Sequence, residues 1–152
     1  MILDNLRALI GSTMKSTSTS PTVTKTDGTT GSGTYVKLPG VLTSTTLTSI
    51  VVGRGTDIVK RSDYKLADQI TTGIAISNAS SYEEIGTEKT NTIWRYSAVV
   101  ENTSDEAITI NEIGLMTIFH ATTKTETLLI RENVDPYILQ PNESVQISIS
   151  IN

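Results

Sequence analysis

The segment GRGTDIVKRSDYKLADQI, Gly53 to Ile70, follows the strand-like run LTSIVV. A strand, then Gly-x-Gly, then a helix-like stretch is the order of a phosphate-binding loop, where glycines let backbone N–H groups close on an anion at a helix N-terminus. The chain lacks the third glycine of a dinucleotide fingerprint and the Gly-Lys-Ser/Thr that closes a P-loop. No alternation of strands and helices follows to build the parallel sheet that those motifs need. Gly53 and Gly55 therefore read as a strand exit, which requires φ > 0 or a close backbone approach.

His120 is the only histidine. It ends a strand-like run beside a Thr-rich turn, and no serine or carboxylate stands at a spacing that recruits it as a general base. Glu83-Glu84, Asp105-Glu106 and Glu132 with Asp135 are carboxylate pairs of the kind a glycosidase or a calcium ion would use. Sequence does not encode the carboxyl separation a glycosidase needs, and no D-x-D-x-D-G loop is present. They read as solvated turns. Sequons at Asn78, Asn102 and Asn142 are expected by chance in a chain with 42 Ser and Thr residues. With no cysteine, thiol nucleophiles, thiolate metal sites and disulfide scaffolds are excluded. A net charge of -4 argues against a nucleic-acid partner, which would require a concentrated basic face. The reading is a non-enzyme with no catalytic, cofactor-binding or metal-binding residues and no cofactor.

The elements that carry these residues are strands. Period-two runs occur at YVKL, VLTSTTLTSIVVG, TGIAIS, NTIWRYSAVVEN, AITINEIGLMTIFH, ETLLIREN and SVQISISIN, at the spacing of a sandwich or barrel. In the last run Val145, Ile147, Ile149 and Ile151 share a face, and in the central one Trp94, Tyr96, Ala98 and Val100 do. Ser62 to Ile70 reads as a short helix, capped by Ser62, with Asp63 in its first turn and Leu66 and Ile70 on its apolar edge. Chain length of 152 residues suits one domain. The expected organisation is an amphipathic helix over 1–15, a Ser/Thr/Gly-rich arm or linker over 16–34, and an antiparallel β-sandwich, immunoglobulin-like or jelly-roll-like, over 35–152.

The helix has apolar positions at Ile2, Leu3, Leu6, Leu9, Ile10 and Met14. Asp4, Asn5 and Arg7 interrupt them, so the segment does not read as a signal peptide, and no apolar run is long enough to span a bilayer. The helix packs either on its own domain or on a neighbouring subunit. The arm, poor in groups to bury, is expected to be mobile alone and to order against a partner. Its removal up to Thr34 should then leave a folded domain.

The run from VVGRGT to ADQI resembles a pattern in small structural proteins of tailed bacteriophages: a strand gives Gly-x-Gly-Thr, a spacer follows, and Asp-x-x-Leu begins a short helix. The matching residues are Gly53, Gly55, Thr56, Asp63 and Leu66. The resemblance continues through Asn102-Thr103, Ala107 to Ile110, Glu112 to Leu115 with Gly114 inside it, Leu128 to Glu132 with Arg131, and Pro141 to Ser144. It covers about residues 50–152, and it departs from the pattern in the basic spacer Asp57–Ser62 and in the N-terminal helix and arm. It implies a non-enzymatic virion component, made in the host bacterial cytoplasm, that assembles on a capsid, collar or tail with copies of itself and other virion proteins. The alternative is a carbohydrate- or receptor-binding sandwich of a phage fibre or tail, contacting a host surface glycan or receptor. Neither reading has a nucleic-acid or membrane partner.

Overall fold

The computed structural model describes residues 1–14, 22–32, 48–85, 91–120 and 124–151. The YVKL run and parts of the arm lie outside them, as do the side chains of Trp94 and His120. The described chain runs α1 (Asp4–Met14), β1 (Thr22–Thr24), β2 (Thr30–Ser32), β3 (Thr48–Gly53), β4 (Ile74–Ile85), β5 (Asn91–Asn102), β6 (Ile108–His120), β7 (Lys124–Leu139) and β8 (Ser144–Ile151). β3-β6-β7 form one antiparallel sheet, β4-β5-β8 a second, and β1-β2 a small hairpin.

The two larger sheets pack into an all-β sandwich because period-two patterning gives each one apolar face. Ile50, Val52, Leu115 and Leu129 meet Tyr96, Ala98, Val100 and Ile149 in a continuous core. Burial pushes the Tyr96 phenol well above its ordinary range. Val51 points the opposite way from Ile50 and Val52, and joins Leu3, Leu66 and Leu128 in a second, smaller core. The sheets are tied along one side, where Asn78 Oδ1 accepts the Ile50 N–H at 2.8 Å.

The N-terminal helix forms as expected, and of its apolar positions the three leucines are buried within the same molecule while Ile2 and Ile10 stay exposed. Leu3, Leu6 and Leu9 are 0–4% exposed, and Leu6 and Leu9 belong to the main core. The residues ahead of the helix extend the first sheet: Ile2 bridges Ile130, and the Leu3 N–H reaches the Leu129 carbonyl at 3.0 Å. Asn5, placed between two core leucines, is buried as well. Its Nδ2 donates to the Thr24 and Leu128 carbonyls at 2.9 and 3.1 Å, and its Oδ1 accepts the Thr24 N–H at 2.9 Å. One amide thus joins helix, hairpin and sheet. The described part of the arm, far from being a free tether, is this hairpin. It turns at Gly28, where φ is 83°, and it plugs Val23 into the core.

The expected helix over 62–70 is absent. Arg61-Ser62 make a turn and the remainder is bends, with Gln69 bridging Gly53. The cause is competition for backbone groups. The Ile70 N–H goes to the Val52 carbonyl and the Arg54 N–H to that of Asp68, while the Ala67 and Asp68 N–H groups go to a side chain of β6. Leu66 and Ile70 are buried as expected, but as anchors of a loop.

Removing residues up to Thr34 therefore takes four core side chains with it and is expected to unfold the sandwich, contrary to the separable-arm expectation. Truncating one of them, Leu6→Ala, should lower unfolding free energy by about 2–5 kcal/mol. Chemical denaturation measures it, and an unchanged midpoint would mean that the helix contributes nothing to the core.

Candidate functional site

Glu112 lies on β6 next to a register shift: Ile110 faces Tyr137, but Glu112 faces Asn133, so β7 carries a bulge from Val134 to Pro136. Ile108 and Ile110 point into the main core, whereas the Glu112 carboxylate turns toward the loop at 54–70. It is fully buried. Oε1 accepts the N–H of Gly55 at 3.2 Å and of Asp68 at 2.8 Å. Oε2 accepts the N–H of Ala67 at 3.1 Å and Nε of Arg131 at 2.8 Å. Four donors fill the acceptor positions of one carboxylate.

Arg131 faces Gly114 across the β6-β7 ladder and is itself 3% exposed. Its Nη1 donates to Asp63 Oδ2 at 2.6 Å, and its Nη2 reaches the Asp57 carbonyl at 3.4 Å. Asp63 Oδ2 also takes the Lys60 N–H at 2.9 Å, so the residue expected to begin a helix instead closes a turn. Burial works against the guanidinium charge, yet the bonds to Asp63 and Glu112 outweigh it and hold Arg131 above its ordinary range. With the folded value raised, this stabilisation is fully present below the ordinary guanidinium range and is lost only as pH rises through it. Asn133 adds a bond from Nδ2 to the Asp57 carbonyl at 3.0 Å, and Asn111 one to the Arg54 carbonyl at 2.7 Å.

The two glycines of the opening motif are explained by contact. A Cβ on Gly53 would lie against Glu112 Oε1 and 2.6 Å from the Asp68 carbonyl oxygen; one on Gly55 would lie 2.5 Å from Ala67 Cβ. Gly114 admits none for the same reason, with Leu128 Cδ1 at 2.8 Å. None of the three has a positive φ. Of the two reasons a strand exit could need glycine, close approach is the one that applies.

The residues singled out in the sequence thus gather in one place. Gly53, Gly55, Asp63, Glu112, Gly114 and Arg131 form a latch, Thr56 contributes its carbonyl to Asn133 at 3.5 Å, Leu66 seals the small core, and Leu115 belongs to the main one. Sequence reasoning missed the roles of Asn111 and Asn133, which hold the loop by donating to the Arg54 and Asp57 carbonyls, and of Asn5. Asn102, named in the sequence as a chance sequon and in the resemblance, is buried at the end of β5: its Nδ2 donates to the Glu106 and Leu139 carbonyls, and its Oδ1 accepts the Ser104 N–H and hydroxyl. An asparagine buried and bonded in this way is no glycan acceptor. Asp105, Glu106, Glu132 and Asp135 are all exposed, but only Asp105 and Glu106 lie in a turn; Glu132 and Asp135, expected in one, stand on β7. Glu83 and Glu84 have side chains outside the described part. Among the described residues no cluster of His, Asp and Glu could hold a metal ion.

Chemically the latch is closed. Glu112 has no free acceptor to take a proton from a substrate, and Arg131 is sequestered behind two carboxylates. Its work is to pin residues 54–70 onto the outer face of the β3-β6-β7 sheet. No protein-family model, curated protein or solved structure matches the chain.

Removing one member of a buried ion pair leaves the other charge without a partner, so Arg131→Met and Glu112→Gln should each cost about 3–5 kcal/mol of stability. The double variant should cost clearly less than the sum, because the two share one interaction. Additive losses in denaturant unfolding would refute the coupling. Gly53→Ala and Gly55→Ala, which force a methyl against the carboxylate, should each destabilise by about 1–3 kcal/mol; neutral substitutions would contradict the close-approach argument.

Proposed function

We propose that the chain is a non-enzymatic structural component of a bacteriophage virion, a β-sandwich module that assembles on capsid, collar or tail through protein–protein contacts. The observation that carries this reading is what the motif residues do. Of those that bear the resemblance, Gly53, Gly55, Asp63, Glu112, Gly114 and Arg131 hold one loop in a fixed shape. That loop carries Ile58, whose side chain is 82% exposed at its tip, between the exposed Arg54 and the exposed pair Lys60 and Arg61.

An isoleucine held out in water on a braced loop suits a contact made in assembly. Such a side chain gains from burial only when a partner covers it, and the bracing reduces the ordering entropy lost on docking. Arg54 and Lys60 add a preference for an acidic partner surface, Arg61 being paired with Asp4 at 2.8 Å.

The test is location. Particles purified from the producing bacterium should contain the chain at a fixed copy number by quantitative mass spectrometry, and Ile58→Asp should lower incorporation at least tenfold without shifting the denaturation midpoint. A chain absent from particles that instead binds glycans on an array would replace this reading with the receptor-binding one.

A further inference from the structure

The two sides of the sandwich are finished differently. On one, β3 and β4 are tied through Asn78. On the other, β7 and β8 flank an apolar groove of about 240 Å³, lined by Ile110, Ile113, Val134, Tyr137, Val145 and Ile147 among others. β7 is guarded there by its bulge and by Pro136, which has no N–H to offer a further strand. β8 has no such guard. Its sequence, SVQISISI, contains no charge, no proline and no glycine. It is the outer strand of its sheet, and among the described residues no backbone bond reaches its outer edge. Of its four inward side chains only Ile149 is buried; Val145, Ile147 and Ile151 are partly exposed. Proteins that remain monomeric blunt such edges with charges, prolines or bulges.

We infer that β8 pairs antiparallel with β8 of a second copy about a two-fold axis at Ile147, joining two three-stranded sheets into one of six strands. This deepens the assembly reading and rests on it. A second copy is the occupant that β8 fits by its own pattern. Side chains alternate with period two, so only a register that sets odd positions against odd positions keeps the isoleucines on the core side. Centring on Ile147 does this, placing Val145 opposite Ile149 of the partner subunit and Ser144 opposite Ser150 of the partner subunit. The partner strand then brings apolar side chains over the groove.

Charge is complementary in the same register. Glu101 lies beside Ser144 and Arg95 beside Ser150 in the β5-β8 ladder, and both are exposed. Each outer-face row that begins with Glu101 on one copy therefore ends with Arg95 on the other, and no like charges face each other across the axis. The contact uses the same strand on both copies, so it closes at a dimer, unlike head-to-tail contacts that propagate.

The chain has no cysteine, so a disulfide in a single-cysteine variant can only join two copies. Ile147→Cys should crosslink fully on mild oxidation, because facing residues of an antiparallel pair are roughly 4.5–5.5 Å apart at Cα, within disulfide reach. Val99→Cys, exposed on the neighbouring strand, should not. Gln146→Lys with Ser148→Lys, both on the exposed face of β8, should raise the dimer dissociation constant at least tenfold in sedimentation analysis and leave the fold intact by circular dichroism. A wild-type chain that stays monomeric at every concentration, or equal crosslinking through Val99→Cys, would overturn the pairing. A β8-linked dimer in a chain missing from particles would uphold the pairing while overturning the virion reading. Incorporated chain whose Ile147→Cys form never crosslinks would do the opposite.

Discussion

A carboxylate with no water around it has to be satisfied by protein, and in this chain that requirement shapes the loop at 54–70 and the strands around it. Glu112 needs several donors to offset its desolvation, and it finds three in the backbone of the crossing loop and one in Arg131. Each of those partners then constrains something else. Gly53 and Gly55 must lack side chains so that the loop can approach; Arg131, once buried, needs Asp63 as a second anion; and Asp63, held there, closes the turn at Lys60. The short helix that local propensity favours would have required the Ala67 and Asp68 N–H groups that Glu112 takes.

Asn5 and Asn102 repeat the device in neutral form. Each is a buried amide surrounded by backbone groups that the sheets and turns leave unpaired, and each joins segments distant in the chain. Polar side chains used in this way specify one arrangement, because an alternative packing would strand them without partners. The hydrophobic core supplies most of the driving force, and these groups select which fold it drives. For the proposed assembly role, that selection is useful because outward surfaces must repeat identically from copy to copy.

Three strands were legible in the sequence nearly residue for residue, Asn91–Asn102, Ile108–His120 and Ser144–Ile151, whereas β4 and β7 continue to Ile85 and Leu139, well past the runs TGIAIS and ETLLIREN, and the β1-β2 hairpin was read as an arm. Alternation on a half-buried strand is a local signal that no distant contact has to supply. The latch was only half legible. Its residues stood out as an ordered set through a resemblance, yet nothing local showed that Glu112 and Arg131 meet Asp63, because those positions come together only when β6 and β7 pair beneath a loop that precedes them. Asn5 was read as an interruption of an apolar face for the same reason: its partners lie in β1 and β7.

What the sequence determined by itself is therefore what depends on neighbours in the chain: the all-β class, the amphipathic N-terminal helix, the turn at the exit of β3, and the lack of any thiol chemistry. Tertiary structure alone decided that the helix and hairpin belong to the sandwich core, that residues 62–70 remain a loop, and that one flank of the sandwich is tied while on the other no described residue pairs with the outer edge of β8. Those outcomes turn on which backbone and side-chain groups compete for the same buried partners. Such competition is settled in space, between residues that one-dimensional periodicity cannot bring together.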